Sequence, residues 1–293
     1  MHTDLTFYIL DVFAERRYAG NQLAVFRDAG RLSDDEMLQL AQEINYAETT
    51  FILSDQPRDG GYDVRIFMPA VEAPFAGHPT LGTAYIIQRE IIGEAVDTVV
   101  LNLKVGPIPV TFGADGVLWM RQNPPTFGQT FDLQAVAAVL NLDPIDIDDH
   151  FPIEEVSTGL PFVVVPIKTL EAVRRARMNV EKLRRLLEGS EAFTTAIFCP
   201  EAVQSDNDIH VRVLEDVYNL PEDAATGSAN GCIASYLVKH RFFGGDSIDL
   251  RSEQGYGMNR PSLLHLRAKQ TAEHIEVNVG GRVVLVAKGT LVD

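Results

Sequence analysis

The rhythm of apolar and polar positions changes several times along the first hundred residues, and each change predicts a new element. "LSDDEMLQLAQEINYAETTFIL" opens with helix grammar: Ser33 and Glu36 have the spacing of a capping box, and Leu32 and Met37 can close a hydrophobic staple. A helix is expected from about Asp34 to Asn45. "ETTFIL" and "YDVRIFMP" then read as strands. "PFAGHPTLG", residues 74 to 82, is a glycine turn running into "TLGTAYIIQRE", a nearly all-apolar helix without a wet face, which must be buried.

The second half replays this order. "DLQAVAAVLNL" offers a helix, "GLPFVVV" a strand matched to "ETTFIL", "IHVRVL" a strand matched to "YDVRIF", and "ATGSANGCIASYLVKH" a glycine turn leading into another apolar helix. Phe51 is aligned with Phe162, Val64 with Val211 and Gly77 with Gly227, the differences being insertions between elements, where loops tolerate them. Four further strand-like runs follow: "SIDLRS", "SLLHLRA", "HIEVNV" and "RVVLVAKG".

Two similar domains result, residues 1–118 and 119–281. The boundary falls in the glycine- and proline-punctuated stretch at 114 to 128, and the final run, 282–293, is a candidate to complete the first domain. Short strands separated by turn residues give an α+β class, each domain a barrel-like, mostly antiparallel sheet around one central apolar helix.

Composition narrows the function. Forty-one acidic against twenty-five basic residues leave a formal charge of -16, which repels nucleic acid and anionic lipid, so neither is an expected partner. The first residues lack the basic start and apolar core of a signal peptide, and no apolar run approaches a membrane span, so a soluble, cytoplasmic protein is expected. Cys199 and Cys232 are the only cysteines, with no CxxC pair, and the histidines show no ligand-like spacing, which argues against a disulfide framework and a metal site. The basic run "RRARMNVEKLRRLLEG" fits one amphipathic helix with Val180, Leu183, Leu186 and Leu187 inward, and the acidic "LDPIDIDDHFPIEE" reads as an exposed loop without the ligand order of a calcium site.

Candidate chemistry gathers at the two glycine turns. Gly77 permits a tight turn, His78 stands where an N-cap is expected and Pro79 takes the first helical position; Ser228, after Gly227, holds the equivalent place. Helix N-termini carry unpaired N–H groups and partial positive charge, so two of them together suit a carboxylate. A lone histidine at a turn is ordinarily a packing or capping residue, and a glutamate at a strand edge is ordinarily solvated. What raises His78 and Ser228 above that is their matching place in matching repeats. Glu48 precedes the "TTFIL" strand and aligns with Gly159, so only one half supplies a carboxylate there; Asp223 lies just ahead of the second helix start. Together Glu48, His78 and Asp223 would be acid–base groups beside an anion cradle. "GHPTLGT" lacks the lysine of a phosphate-binding loop, and "TGSANG" is not a nucleophile elbow, though a Ser228–His78–Asp223 triad remains conceivable.

"YAGNQLAVF", "AETTFIL", "PFAGHPTLGTAY", "STGLPFVVVP", "EDAATGSANG" and "EQGYGMNRPS" occur in an order that resembles the PhzF-like isomerases, named for a phenazine-biosynthesis enzyme and sharing the diaminopimelate epimerase fold. The resemblance runs nearly end to end. It implies two pseudo-symmetric domains and a cofactor-free site in the cleft between them, with Glu48 as proton-transferring carboxylate and His78 and Asp223 as its partners. Gly77, Gly227 and Ser228 match substrate-contacting helix starts, with Asn21, Ser157 and Gly159 as further substrate contacts, and a homodimer is the family expectation. Two-cysteine epimerases of this fold carry a thiol just before each glycine; here those places are Ala76 and Thr226, so two-thiol racemisation is excluded. Ala224 also departs from the proline usual after the aspartate.

The sequence thus reads as an isomerase that moves a proton on a small carboxylate-bearing substrate of the dihydro-hydroxyanthranilate kind. A carboxylate does this at neutral pH only if its surroundings bring its pKa toward the working range. Two rival readings stand beside it: a hydrolase with Ser228 as nucleophile, and a non-catalytic binder of small acids.

Overall fold

The computed structural model describes residues 5–214 and 222–292. Residues 1–4, 215–221 and 293 lie outside the described residues. The chain divides into two compact units, Met1–Met120 with Gly280–Asp293, and Arg121–Val279.

In the first unit the chain runs β1 (Thr6–Val12), β2 (Asn21–Phe26), α1 (Asp34–Ile44), β3 (Glu48–Ile52), β4 (Tyr62–Phe67), β5 (Glu72–Ala73), α2 (Gly77–Ile86), β6 (Thr98–Leu103), β7 (Gly106–Phe112) and β8 (Leu118–Arg121). The second carries β9 (Thr126–Thr130), α3 (Leu133–Leu140), β10 (Glu154–Ser157), β11 (Pro161–Pro166), α4 (Leu170–Arg175), α5 (Val180–Leu186), β12 (Thr195–Cys199), β13 (Ile209–Leu214), α6 (Gly227–Lys239), β14 (Ser247–Gln254), β15 (Ser262–Gln270) and β16 (Ile275–Gly281). β17 (Val283–Thr290) returns to the first unit and pairs antiparallel with β1.

Strand pairing shows one plan used twice. The first unit pairs β17–β1 and β1–β2 antiparallel, β2–β3 parallel, β3–β4 antiparallel, β4–β6 parallel and β6–β7 antiparallel. The second repeats the series as β9–β10, β10–β11, β11–β12, β12–β13, β13–β14 and β14–β15 with the same directions. This corrects the sequence alignment of the halves. β3 corresponds to β12, not to β11, so Phe51 does not match Phe162. With Val64 kept opposite Val211, Phe67 pairs with Thr49 and Leu214 with Thr195, which makes Thr194, not Gly159, the counterpart of Glu48. The error has a physical source: β11 and β12 are both apolar throughout, so hydrophobic pattern alone cannot tell one from the other.

Each sheet curls around one helix. α2 packs against β1, β2, β3, β6, β7 and β17, and α6 against β10, β11, β12, β14 and β15. All residues from His78 to Ala84 and from Ala229 to Val238 are buried, as an all-apolar helix requires. The fit in the first unit is tight: a Cβ on Gly82 would lie 2.5 Å from Leu23 Cδ2 and 2.9 Å from Val12 Cγ2. Outer faces are covered separately. α1 seals Met37 and Ala41 over Phe26, Phe51 and Phe67, with Phe26 stacked on Phe51 at 5.2 Å, and its N-terminus has the capping box formed by Ser33 and Glu36. α3 and α4 cover the second sheet through Val136, Leu140 and Val173, and α5, with Leu183 buried, packs on α3.

The basic run is two helices rather than one. Between α4 and α5 the Arg177 and Asn179 amides bond the Leu140 and Val139 carbonyls, and the Asn179 side chain caps Lys182 N, so the chain docks on α3 and restarts. The acidic stretch is likewise only partly an exposed loop, because Ile147 is buried and bridges Ile167, while Glu154 is buried at the start of β10.

Candidate active site

The helix starts lie two residues earlier than their sequence suggests. The N-cap of α2 is Ala76, with φ -153° and ψ 143°, and that of α6 is Thr226, with φ -113° and ψ 96°. Gly77 and Gly227 are therefore the first helical residues, and His78 and Ser228 the second, not N-caps. Neither cap side chain bonds its own first turn. The Gly77 and His78 amides have no acceptor within their helix, Pro79 has no N–H, and Thr80 N is the first to bond back, to Ala76 O. In α6 the ladder likewise begins with Asn230 N to Thr226 O. Each helix thus offers an anion-compatible first turn.

In the first unit the structure brings Glu48 and His78 together. Glu48 begins β3 beside Leu23 of β2, and its Oε2 lies 3.5 Å from His78 Nε2, with only 16% and 6% of the two side chains exposed. The same Nε2 is 3.3 Å from the Gln22 carbonyl. A carbonyl only accepts, so Nε2 carries the proton and donates it to Gln22 O, with Glu48 alongside. Burial pushes the His78 pKa down to about 3, the Gln22 carbonyl opposing this only in part. His78 is accordingly a neutral imidazole at neutral pH, and its 3.5 Å approach to Glu48 is a close packing contact rather than an ion pair. Asn21, at the start of β2, is buried next to Gln22.

In the second unit Asp223 is held from several sides. Its N–H bonds Val213 O at 3.1 Å, and Thr226 Oγ1 lies 2.5 Å from its Oδ2. Glu222 just before it receives Arg212 at 3.0 and 2.8 Å in a buried bidentate pair, and Arg212 also donates to the Val173 and Ala176 carbonyls at the end of α4. The carbonyl of Asp223 accepts from Gln254 Nε2 at 3.0 Å and that of Ala224 from Ser262 Oγ at 2.8 Å. Gly255 follows Gln254 with φ +78°, where an added Cβ would lie 2.5 Å from Ala224 O, so only glycine lets this turn close against the Asp223 segment. Ser157 ends β10 and accepts from Gly159 N at 3.1 Å, forming a turn in which Gly159 has φ +140°. Thr158 of that turn reaches α6, its Oγ1 3.9 Å from Cys232 Sγ.

Sequence reading missed Gln254, Asn230, Ser252, Thr226, Arg212 and Glu222. The available signals were Asn230 inside an otherwise apolar helix and the shared arginine of "VRIF" and "VRVL". Gln22 acts through its backbone and leaves no side-chain signal. Both cysteines are buried and their thiols are pushed up, Cys199 to about 11 and Cys232 to about 12, chiefly by desolvation, which makes them poor nucleophiles. Among the described residues Asp148, Asp149 and His150 place potential ligand atoms within 4.8 Å of one another, but the group is largely exposed and Asp149 is paired with Lys168. No described helix is long and apolar enough to cross a membrane.

Residues 10–289 match the family described as phenazine biosynthesis-like protein, PhzC-PhzF. The chain belongs to that family. It is 34% identical over 298 residues to an uncharacterised isomerase of Mesorhizobium japonicum, covering 97% of this chain and 98% of the relative. To the trans-2,3-dihydro-3-hydroxyanthranilate isomerase of Pseudomonas aeruginosa it is 32% identical, again with 97% and 98% covered. A crystal structure of a Bacillus anthracis PhzF-family protein superposes with a TM-score of 0.90 at 24% identity over 99% of this chain and 100% of that one, and shares its fold. This member of the phenazine biosynthesis-like family is an isomerase.

Proposed function

We propose that this isomerase moves a proton on a small carboxylate-bearing acid, without a cofactor, and that Glu48 carries the proton. The observation behind the reading is the Glu48–His78 contact at 3.5 Å, with a histidine that burial keeps neutral. A neutral imidazole held by the Gln22 carbonyl and packed against a carboxyl group confines that group without neutralising its charge, and leaves it able to cycle between base and acid. Glu48 takes a proton from an activated carbon and returns it elsewhere on the same conjugated system. Asp223 assists the transfer, and the first-turn amides of Gly77, His78, Gly227 and Ser228 receive the substrate carboxylate, with Asn21, Ser157 and Gly159 as further contacts. A dihydro-hydroxyanthranilate is the substrate class favoured by the named relative. The working form is taken to be a cytoplasmic homodimer.

The test is proton NMR in heavy water with trans-2,3-dihydro-3-hydroxyanthranilate. Isomerisation with solvent deuterium at the reprotonated carbon, lost in Glu48→Gln and retained in Ser228→Ala, is the expected result. The reverse pattern would establish Ser228 chemistry instead, and binding without any exchange would make the protein a binder only.

A further inference from the structure

The second helix start contains a buried polar chain that the first lacks. Gln254 Oε1 accepts from Thr226 N at 3.2 Å and from Asn230 Nδ2 at 2.9 Å, while Gln254 Nε2 donates to Asp223 O and to Thr226 Oγ1, each at 3.0 Å. Asn230 Nδ2 also donates to Thr226 O at 3.0 Å, and Ser252 Oγ to Asn230 Oδ1 at 2.6 Å. Asn230, Ser252 and Gln254 are fully buried.

The directions are fixed by chemistry. Thr226 N–H can only donate and Asp223 C=O can only accept, so the Gln254 amide has one orientation. Thr226 Oγ1 then receives a proton from Gln254 and gives its own to Asp223 Oδ2 at 2.5 Å. In the first unit the pairing of the sheets puts Leu103, Leu101, Thr80, Ala76 and Ala73 at the places of Gln254, Ser252, Asn230, Thr226 and Asp223. Only Thr80 keeps a polar bond there, to Ala76 O at 2.7 Å. The polar chain is therefore not something the fold requires at this place. A buried network of this kind is worth its desolvation only when every member is satisfied, and here it converges on the side chain of Asp223.

We propose that Gln254, acting through Thr226, is a positioning device for Asp223: it holds Oδ2 as the acceptor of the Thr226 proton and so fixes the rotation of the carboxylate that takes part in proton exchange. The proposal rests on the acid–base reading above. In it, the backbone slot that holds a thiol in two-cysteine epimerases carries a hydroxyl that orients a carboxylate.

The experiment compares Thr226→Val, which keeps the shape and loses the hydroxyl, with Thr226→Ser, which restores it, using trans-2,3-dihydro-3-hydroxyanthranilate and solvent-deuterium incorporation. Misplacing a reacting group by an ångström slows catalysis on the order of a hundredfold, so Thr226→Val should lose roughly ten- to a hundredfold in kcat, with KM within about twofold, and Thr226→Ser should recover most of that loss. A Thr226→Val enzyme as fast as the parent, with Asp223→Asn slow, would overturn the positioning role while leaving Asp223 in place. Equal losses in the Val and Ser variants would overturn it as well. If the parent does not turn over this compound, the substrate assignment fails separately, and crystal structures of the parent and Thr226→Val decide the inference: a rotated Asp223 carboxylate supports it, and an unmoved one overturns it.

Discussion

At α2 the residue ahead of the helix glycine is Ala76, the second helical residue is His78, and the nearest carboxyl group, Glu48, comes from a different strand. At α6 the same places hold Thr226 and Ser228, and the carboxyl group is Asp223, three residues before the cap and tied to it. The strand that supplies Glu48 in one half presents Thr194 in the other, its hydroxyl spent on the Leu214 carbonyl. What the halves retain is mechanical. Arg65 clamps Glu72 at 2.8 and 2.7 Å, and Arg212 clamps Glu222, each glutamate five residues ahead of its helix glycine. The comparison teaches that a duplicated frame can keep the parts that place a helix start while exchanging every ionisable group displayed there.

The comparison can be broken most severely at Glu48. General acid–base groups contribute about 10²- to 10⁴-fold, so Glu48→Gln should lose deuterium incorporation by that order, whereas Thr194→Val should leave the rate nearly unchanged. The clamps come next. Arg212→Leu strands a buried Glu222 and carbonyls at the end of α4, and should lower unfolding free energy in urea by about 3 kcal/mol or more. Arg65→Leu should lose distinctly less, because the Arg65 side chain is 20% exposed against 10% for Arg212. Equal losses would mean the clamps are not graded by burial.

A smaller test uses the helix interiors, where Gly82 and Cys232 occupy the same place, five residues past the glycine. Gly82→Ala forces a methyl against Leu23 and Val12 and should destabilise by about 1–3 kcal/mol. Cys232→Ala removes one sulfur and should lose about 1 kcal/mol. A further test of the first unit alone is the pH dependence of His78, which has no counterpart at Ser228. Its folded pKa is depressed from 6.5 to about 3, so between those values the unfolded chain holds a proton that the folded one refuses. Stability is full above pH 6.5 and falls as pH drops toward 3, with a slope of at most about 1.4 kcal/mol per pH unit. His78→Gln should flatten the urea midpoint between pH 6.5 and 5; an unchanged slope would place the titrating group elsewhere.

How much of this was legible in the chain depended on whether local or long-range physics decided it. The Ser33–Glu36 capping box and the two sealed helices are local matters of spacing and apolar run length, and both stand in the structure. The cap positions of α2 and α6 were misplaced because neither is marked by a bonded cap side chain; extended backbone at Ala76 and Thr226 does the work instead. The strand phase of the second half failed because β11 and β12 look alike in burial, and only register distinguishes them. The Glu48–His78 contact joins residues thirty positions apart, and the Gln254 chain joins residues from a helix, a loop and a strand end, so no window of sequence contains either. Arg65 and Arg212 were visible as a repeated letter; their common purpose needed the glutamates beside them in space.

The pairing of β17 with β1 makes the two units differ in how local their closure is. Residues 121–279 form their unit from one continuous run. The unit that carries Glu48 and His78 cannot close its sheet until residues 283–290 arrive, because until then β1 has an open edge on the side that β17 covers. The surroundings of Glu48 thus depend on a pairing between distant segments, whereas Asp223 belongs to a unit that one continuous run builds.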